Sequence, residues 1–356
     1  MTPPADSSRR ATVRLTLTCN NRCVFCAQRG LHAGPERDPQ AELRTLAASG
    51  ATEVTFVGGE PTLYEGLSEL ISLARAQGLR RIGLQTNARR LGGLPSWVEA
   101  GLTDLHFSLL GAEAAVHEYH TGIPGSFEAV LAGLDAARQL QLTTVATTVV
   151  TRSNFRVLAP IGGLLQRTGA SAWGLSLAAG AGGAGAHFDR VVPRLGLALP
   201  YMLQALDRAR GQGLPTFVAG APLCALGPFA RFALGGEARA FGDKCTSCTA
   251  QPGCTGVDAR YLRRFGEEEL KAVSGVPLEH EAIARLLVGT GELFVADPAE
   301  VPPPPVAVRS GLKALGKVKP AAAEMTPGTP KRSGEALKEI FPSLFVAAQE
   351  KPPVKP

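Results

Sequence analysis

Between residues 12 and 220, six short runs rich in β-branched and apolar residues alternate with longer stretches of helical character. The runs lie near 12–18 (TVRLTLT), 52–57 (TEVTFV), 81–86 (RIGLQT), 104–110 (DLHFSLL), 143–150 (TTVATTVV) and 171–177 (SAWGLSL). The clearest helical stretch is 125–140, where Phe127, Val130, Leu131 and Leu134 share one face and Ser126 is placed to cap the start. A second helix is expected from Pro200 to about residue 211. Strand and helix in strict alternation imply a parallel sheet with right-handed crossovers. A complete eight-fold barrel takes about 250 residues. The stretch available is shorter, so the expected fold is α/β, a partial (βα)6 TIM-type barrel. Ligands then bind at the C-terminal ends of the strands.

The cysteines obey that rule. The chain of 356 residues has seven, in two groups separated by a long cysteine-free interval. Cys19, Cys23 and Cys26 follow the first strand with the spacing Cys-x3-Cys-x2-Cys. A cubane iron–sulfur cluster takes a thiolate on each iron, so three cysteines leave one iron open to a small molecule. Zinc sites pair cysteine knuckles into four ligands, which an isolated triplet fits poorly. The second group is Cys224, Cys245, Cys248 and Cys254. Four thiolates suit either one fully ligated cluster or a tetrahedral zinc, and the sequence leaves both open.

Other strand ends carry polar or conformationally special residues. Gly58, Gly59, Glu60 and Pro61 follow the second run, Asn87 the third and Arg152 the fifth, while Ser108 lies within the fourth. His117 and His120, His32 and Asp104 read as structural. The stretch AAGAGGAGAH at 178–187 lacks a phosphate-loop Lys-Ser/Thr pair and reads as a flexible linker.

Together, the cysteine triplet, Phe25 before its third member and the GGEP turn one βα unit later resemble the radical S-adenosylmethionine (radical SAM) enzymes, over about residues 12–270. The resemblance implies a [4Fe-4S] cluster held by Cys19, Cys23 and Cys26, with S-adenosylmethionine on the open iron. It implies reductive cleavage to methionine and a 5′-deoxyadenosyl radical that abstracts hydrogen from substrate. Phe25 would lie near the cluster and adenine, and Glu60 would face the ligand's ammonium. Asn87, Ser108 and Arg152 would supply further cofactor contacts. Cys245-x2-Cys248-x5-Cys254 resembles the core of SPASM and twitch extensions, which implies an auxiliary [4Fe-4S] cluster with Cys224 as fourth ligand.

The expected enzyme is of oxidoreductase or maturase type. It modifies a peptide or protein, or it rearranges or oxidises a small molecule in cofactor or metabolite biosynthesis. A non-catalytic iron–sulfur scaffold is the reading from another class. The implied partner is an electron donor such as flavodoxin or ferredoxin.

Composition bounds the rest. Net charge is +6, but much of the excess falls among prolines in the last 50 residues, so nucleic acid is not an expected partner. There is no membrane-length apolar run and no signal-peptide core behind MTPPADSSRR, so a cytoplasmic protein is expected. The expected organisation is an N-terminal arm (1–11), the partial barrel (12–220) and a cysteine-bearing SPASM/twitch-like region (221–275). A short helical or strand segment (276–300) and a Pro/Lys-rich, mostly disordered tail (301–356) complete it.

Overall fold

The computed structural model describes residues 10–31, 37–235 and 239–274. His32, nearly all of the expected arm and the segments 276–300 and 301–356 lie outside the described residues.

Seven parallel strands form one sheet in chain order. They are β1 (Arg10–Thr16), β2 (Glu53–Gly58), β3 (Arg81–Thr86), β4 (Asp104–Ser108), β5 (Thr143–Val150), β6 (Ala172–Leu177) and β7 (Thr216–Ala219). The order runs from β1 to β7 without closing, so the sheet is an open, partial barrel. The crossover helices are α1 (Pro39–Ala48), α2 (Leu67–Ala76), α3 (Leu94–Ala100), α4 (Ala114–Thr121), α5 (Ser126–Gln139) and α6 (Ala159–Thr168). Beyond β6 come α7 (Gly182–Ala186), α8 (Phe188–Val191), α9 (Leu195–Gly211), α10 (Leu223–Leu226) and α11 (Ala259–Phe265).

The strand alternation sorts side chains into two cores. Val54, Phe56, Leu84, Leu105, Phe107 and Trp173 share the outer core with Leu70, Ile71, Val130 and Leu134 of the helices. Full burial of each large side chain contributes about 1.5–3 kcal/mol. The alternate positions face the barrel interior. There Val145, Ala172 and Phe217 form a small separate cluster with Phe232. Gly174 is required at this point, since a Cβ on it would lie 2.0 Å from the Phe217 ring. This apolar plug leaves the polar interior positions nearer the C-terminal strand ends, including Ser108 and Ser176, to face a cavity.

The six expected strands are present, and β7 is a seventh. Its four residues, TFVA, are too short to stand out by periodicity. The free edge of β7 is covered, because Ala233 bridges Val218 and the Leu234 amide donates to the Val218 carbonyl at 2.7 Å.

Two local expectations are corrected. The helix expected to begin at Pro200 begins at Leu195, with Pro200 inside its second turn. Proline there forgoes the bond to the Gly196 carbonyl, and the helix nevertheless runs on through Gly211. Ser126 does not cap α5. Gly125, at φ +76°, takes the cap position, and the buried Ser126 hydroxyl hydrogen-bonds Thr121 Oγ1 at 2.7 Å.

Candidate functional site

The loop after β1 carries the cysteine triplet across the C-terminal end of the sheet. Its backbone is fixed by the GGEP turn. Gly59 N donates to Thr16 O at 2.7 Å and Glu60 N to Thr18 O at 2.9 Å. A Cβ on Gly58, which sits at φ +147°, would lie 2.4 Å from Thr16 O, and one on Gly59 would lie 2.3 Å from Thr18 O. Both positions therefore exclude any side chain, because the cysteine loop is laid directly against them.

The loop's other side is held by the Gly/Ala stretch. Gly183 N donates to Cys26 O at 2.9 Å. A Cβ on Gly182 would lie 2.2 Å from Ala27 O, and one on Gly183 would lie 2.3 Å from Val24 O. The stretch expected to be a flexible linker is instead a short helix clamped on the triplet. Its glycines answer a need for close backbone approach, which composition alone does not distinguish from flexibility.

Cys19, Cys23 and Cys26 line one cavity of about 370 Å³, together with Phe25, Gly58, Gly59 and Glu60. That volume is in the range of small-molecule and cofactor sites, about 300–1,000 Å³. Asn87 and Ser108 line it as well. Asn21 N donates to Cys19 Sγ at 3.4 Å, and Asn87 Nδ2 reaches Asn20 Oδ1 at 2.7 Å and Cys19 Sγ at 3.8 Å. Burial, with the neighbouring Cys26 and Cys19, pushes the Cys23 thiol up to about 12. Thiols gathered in this way favour a bound cationic centre, which deprotonates its sulfur ligands outright.

Glu60 is buried and accepts hydrogen bonds on both carboxylate oxygens. Its Oε1 accepts from Thr86 Oγ1 at 2.7 Å, Thr62 Oγ1 at 2.8 Å and Thr62 N at 3.2 Å, and its Oε2 accepts from Asn87 N at 2.8 Å. Desolvation nonetheless raises its pKa above the usual carboxylate value. The carboxylate thus joins the ends of β2 and β3. Pro61 is buried behind it, at the start of a short 3-10 turn.

The two histidines of α4 support the site from behind. His120 Nδ1 donates to Val116 O at 2.7 Å, so Nε2 accepts from Thr151 Oγ1 at 2.9 Å. The Phe25 ring leans on the His120 ring, centroids 6.2 Å apart. His117 Nδ1 accepts from Leu110 N at 3.2 Å. Both are buried with these partners, as structural residues are. Asp104, also read as structural, is buried and pairs with Arg81.

Arg152 is not brought to the cavity. Its guanidinium donates to the Asp189 carbonyl, and its amide donates to Val191 O at 2.9 Å. Sequence reasoning missed Arg239, Thr255 and Asp258, which line the cavity from the C-terminal extension, and Ser176 of β6. Ser176 ends a recognisable strand and could have been found by position. The extension has no periodicity from which Arg239 could be read.

Cys224, Cys245, Cys248 and Cys254 line a second, much smaller cavity. Backbone amides point at the sulfurs: Leu223 N and Gly256 N each donate to Cys254 Sγ at 3.4 Å, and Val273 N donates to Cys248 Sγ at 3.3 Å. Burial raises the Cys224 pKa, with smaller effects from Cys254, Cys245 and Cys248. Among the described residues, no three His, Cys, Asp or Glu side chains are arranged to hold a single metal ion. Among the same residues, no helix is long and apolar enough to cross a membrane.

Known proteins match this architecture. Residues 13–155 match the family model of the Radical SAM superfamily. GTP 3′,8-cyclase of Synechococcus elongatus is 36% identical over 149 residues, 39% of this chain and 45% of that protein. AdoMet-dependent heme synthase of Oleidesulfovibrio alaskensis is 30% identical over 171 residues, 46% of this chain and 44% of that protein. The chain thus spans somewhat under half the length of these curated relatives. Among solved structures, Streptococcus suis SuiB bound to precursor peptide SuiA shares the fold. Its TM-score is 0.51 at 15% identity, covering 62% of this chain and 51% of that one. The stretch that matches the family model is the one that carries the cysteine triplet and the GGEP turn.

Proposed function

We propose that this chain is a radical SAM enzyme that binds a [4Fe-4S] cluster at Cys19, Cys23 and Cys26 and S-adenosylmethionine in the adjoining cavity. The observation that carries the reading is the convergence of three thiols and the Gly58-Gly59-Glu60 turn on one cavity at the C-terminal strand ends. The donor set fits the group: three soft thiolates, one short of a full cubane set, beside a space large enough for a ligand. When bound, the cluster supplies one electron that cleaves a C–S bond of S-adenosylmethionine, leaving a 5′-deoxyadenosyl radical to take hydrogen from substrate.

The chain's own residues position and shield. Glu60 holds Thr62, Thr86 and the Asn87 amide in place, so Asn87 can orient Asn20 beside Cys19. Phe25, Leu110, Val149 and Leu177 give the cavity apolar walls that exclude water from a reactive species. Ser108, Ser176 and Gln85 offer hydrogen bonds along the strand ends. Asn87 and Ser108 are our cofactor-contact residues. Arg152 lies elsewhere and is not among them.

The quartet Cys224, Cys245, Cys248 and Cys254 is proposed to hold one auxiliary [4Fe-4S] cluster. Its all-thiolate set and its N–H donors to sulfur suit such a cluster. The reading includes an electron donor of the flavodoxin or ferredoxin kind and a cytoplasmic setting.

The test is 5′-deoxyadenosine formation by anaerobically reconstituted protein given S-adenosylmethionine and dithionite. Product above that of Cys23→Ala supports the reading. Product equal to that control, with the cluster loaded, rejects it in favour of a scaffold.

A further inference from the structure

The cavity does not end at the barrel. Its wall continues into the extension, where Arg239, Thr255 and Asp258 take part. Arg239 is the only cationic side chain among the described lining residues. Its Nη2 donates to Gly220 O at 2.6 Å and to Gly256 O at 3.0 Å. Those two carbonyls, one after β7 and one in the cysteine loop, fix the guanidinium in place. A guanidinium has five N–H donors in a fixed fork, so the remaining donors stay available.

No carboxylate among the described residues forms a salt bridge with Arg239. The carboxylate whose charge it feels is Asp258, and both oxygens of Asp258 are committed. Oδ2 accepts from Gly180 N at 3.1 Å and Oδ1 from Arg260 N at 2.8 Å. The other carboxylate in the lining, Glu60, likewise accepts on both oxygens from its own neighbours. Gln28, also in the lining, carries a buried Oε1 with no hydrogen-bond partner among the described residues.

We infer that Arg239 receives a single carboxylate of a substrate that is otherwise mostly uncharged, and that the cavity is not built for a polyphosphate. The substrate assignment rests on the radical SAM reading, but the recognition itself does not. One pre-positioned guanidinium matches one carboxylate in charge and shape. A nucleoside triphosphate would bring several negative charges to a wall holding one cation and two carboxylates, Glu60 and Asp258. Phe25, Leu110, Val149 and Leu234 supply the apolar surface that an uncharged body would cover.

The experiment uses the full chain, anaerobically reconstituted, with S-adenosylmethionine present. A panel of N-acetyl amino acids, each as free acid and as primary amide, is titrated by calorimetry, with GTP as the polyphosphate probe. Free acids should bind at least about tenfold more tightly than their amides. The gap should vanish in Arg239→Gln and persist, reduced, in Arg239→Lys. Three results overturn the inference: no acid–amide gap for any pair in the wild type, a gap that survives in Arg239→Gln, or GTP binding tighter than every acid. A parallel loss of S-adenosylmethionine affinity in Arg239→Gln, without an acid–amide gap, would assign the residue to the cofactor instead. The enzymatic reading fails separately, if the wild type forms no 5′-deoxyadenosine while the acid preference stands.

Discussion

The amide of Gly183 donates to the carbonyl of Cys26 at 2.9 Å, which ties the exit of the sixth strand to the last cysteine of the triplet. The contact needs a residue without a side chain, since a Cβ on Gly183 would meet Val24 O at 2.3 Å. Gly183→Ala must therefore move the cysteine loop or the short helix. Overpacking of this kind costs about 1–3 kcal/mol. The expected result is a lower melting temperature and reduced iron at the triplet, read by thermal unfolding and by iron per chain. Wild-type iron content with an unchanged melting temperature would show that the glycine is not needed there.

Asp258 joins the extension to the same region. Its carboxylate caps α11 through Arg260 N and holds Gly180 N, just before the glycine clamp. Loss of an N-cap costs about 0.5–2 kcal/mol, and the Gly180 amide would also lose its partner. Asp258→Ala should lower stability by about 1–3 kcal/mol, and Asp258→Asn by less, because the amide oxygen still accepts one bond. Denaturant unfolding of both variants reads the difference. Equal stability of all three proteins would remove Asp258 from this role.

Much of the molecule was legible from residue pattern. The six β-branched and apolar runs became β1 to β6, with β1 lying two residues earlier than expected and β4 ending two residues sooner, because β-branched and apolar side chains suit a pleated, buried surface. The triplet and GGEP were legible because their chemistry fixes residue type at fixed spacing. Three things were hidden, each for a physical reason. The four residues of β7 gain strand character from pairing with β6 rather than from their own pattern. The Gly/Ala stretch has the same composition whether it is mobile or closely packed, and only the approach of Val24 and Ala27 decides. Arg239 owes its place to contacts with Gly220 and Gly256, 19 and 17 residues away, which no local rule encodes.

His106 lies in the barrel interior on β4, fully buried, with neither ring nitrogen hydrogen-bonded. Burial lowers its pKa from 6.5 to about 4. A histidine depressed on folding contributes stability that is complete above the unfolded pKa. That contribution is lost as pH falls from about 6.5 toward about 4. At about 1.4 kcal/mol per pH unit the effect is at most roughly 3 kcal/mol. His106→Leu should therefore flatten the acid side of the stability profile relative to wild type, leaving the shares from His117 and His120, which burial lowers in the same way. Urea unfolding at stepped pH values checks this. Parallel profiles for the two proteins would mean that His106 does not titrate on unfolding.

The two cysteine groups line separate cavities and should fail separately. Cys23→Ala leaves two thiols at the first site, too few to hold a cubane, and should abolish 5′-deoxyadenosine formation while the quartet keeps its metal. Cys248→Ala breaks the second set and leaves the Val273 amide without its sulfur acceptor. It should lower iron by about four atoms per chain, the content of one cubane, and keep part of the S-adenosylmethionine cleavage. Iron, sulfide and zinc analysis of the two variants separates the possibilities. Zinc lost from Cys248→Ala, with iron unchanged, would make the quartet a structural zinc site. Iron lost equally from both sites in Cys23→Ala would show that the extension folds only around an intact triplet.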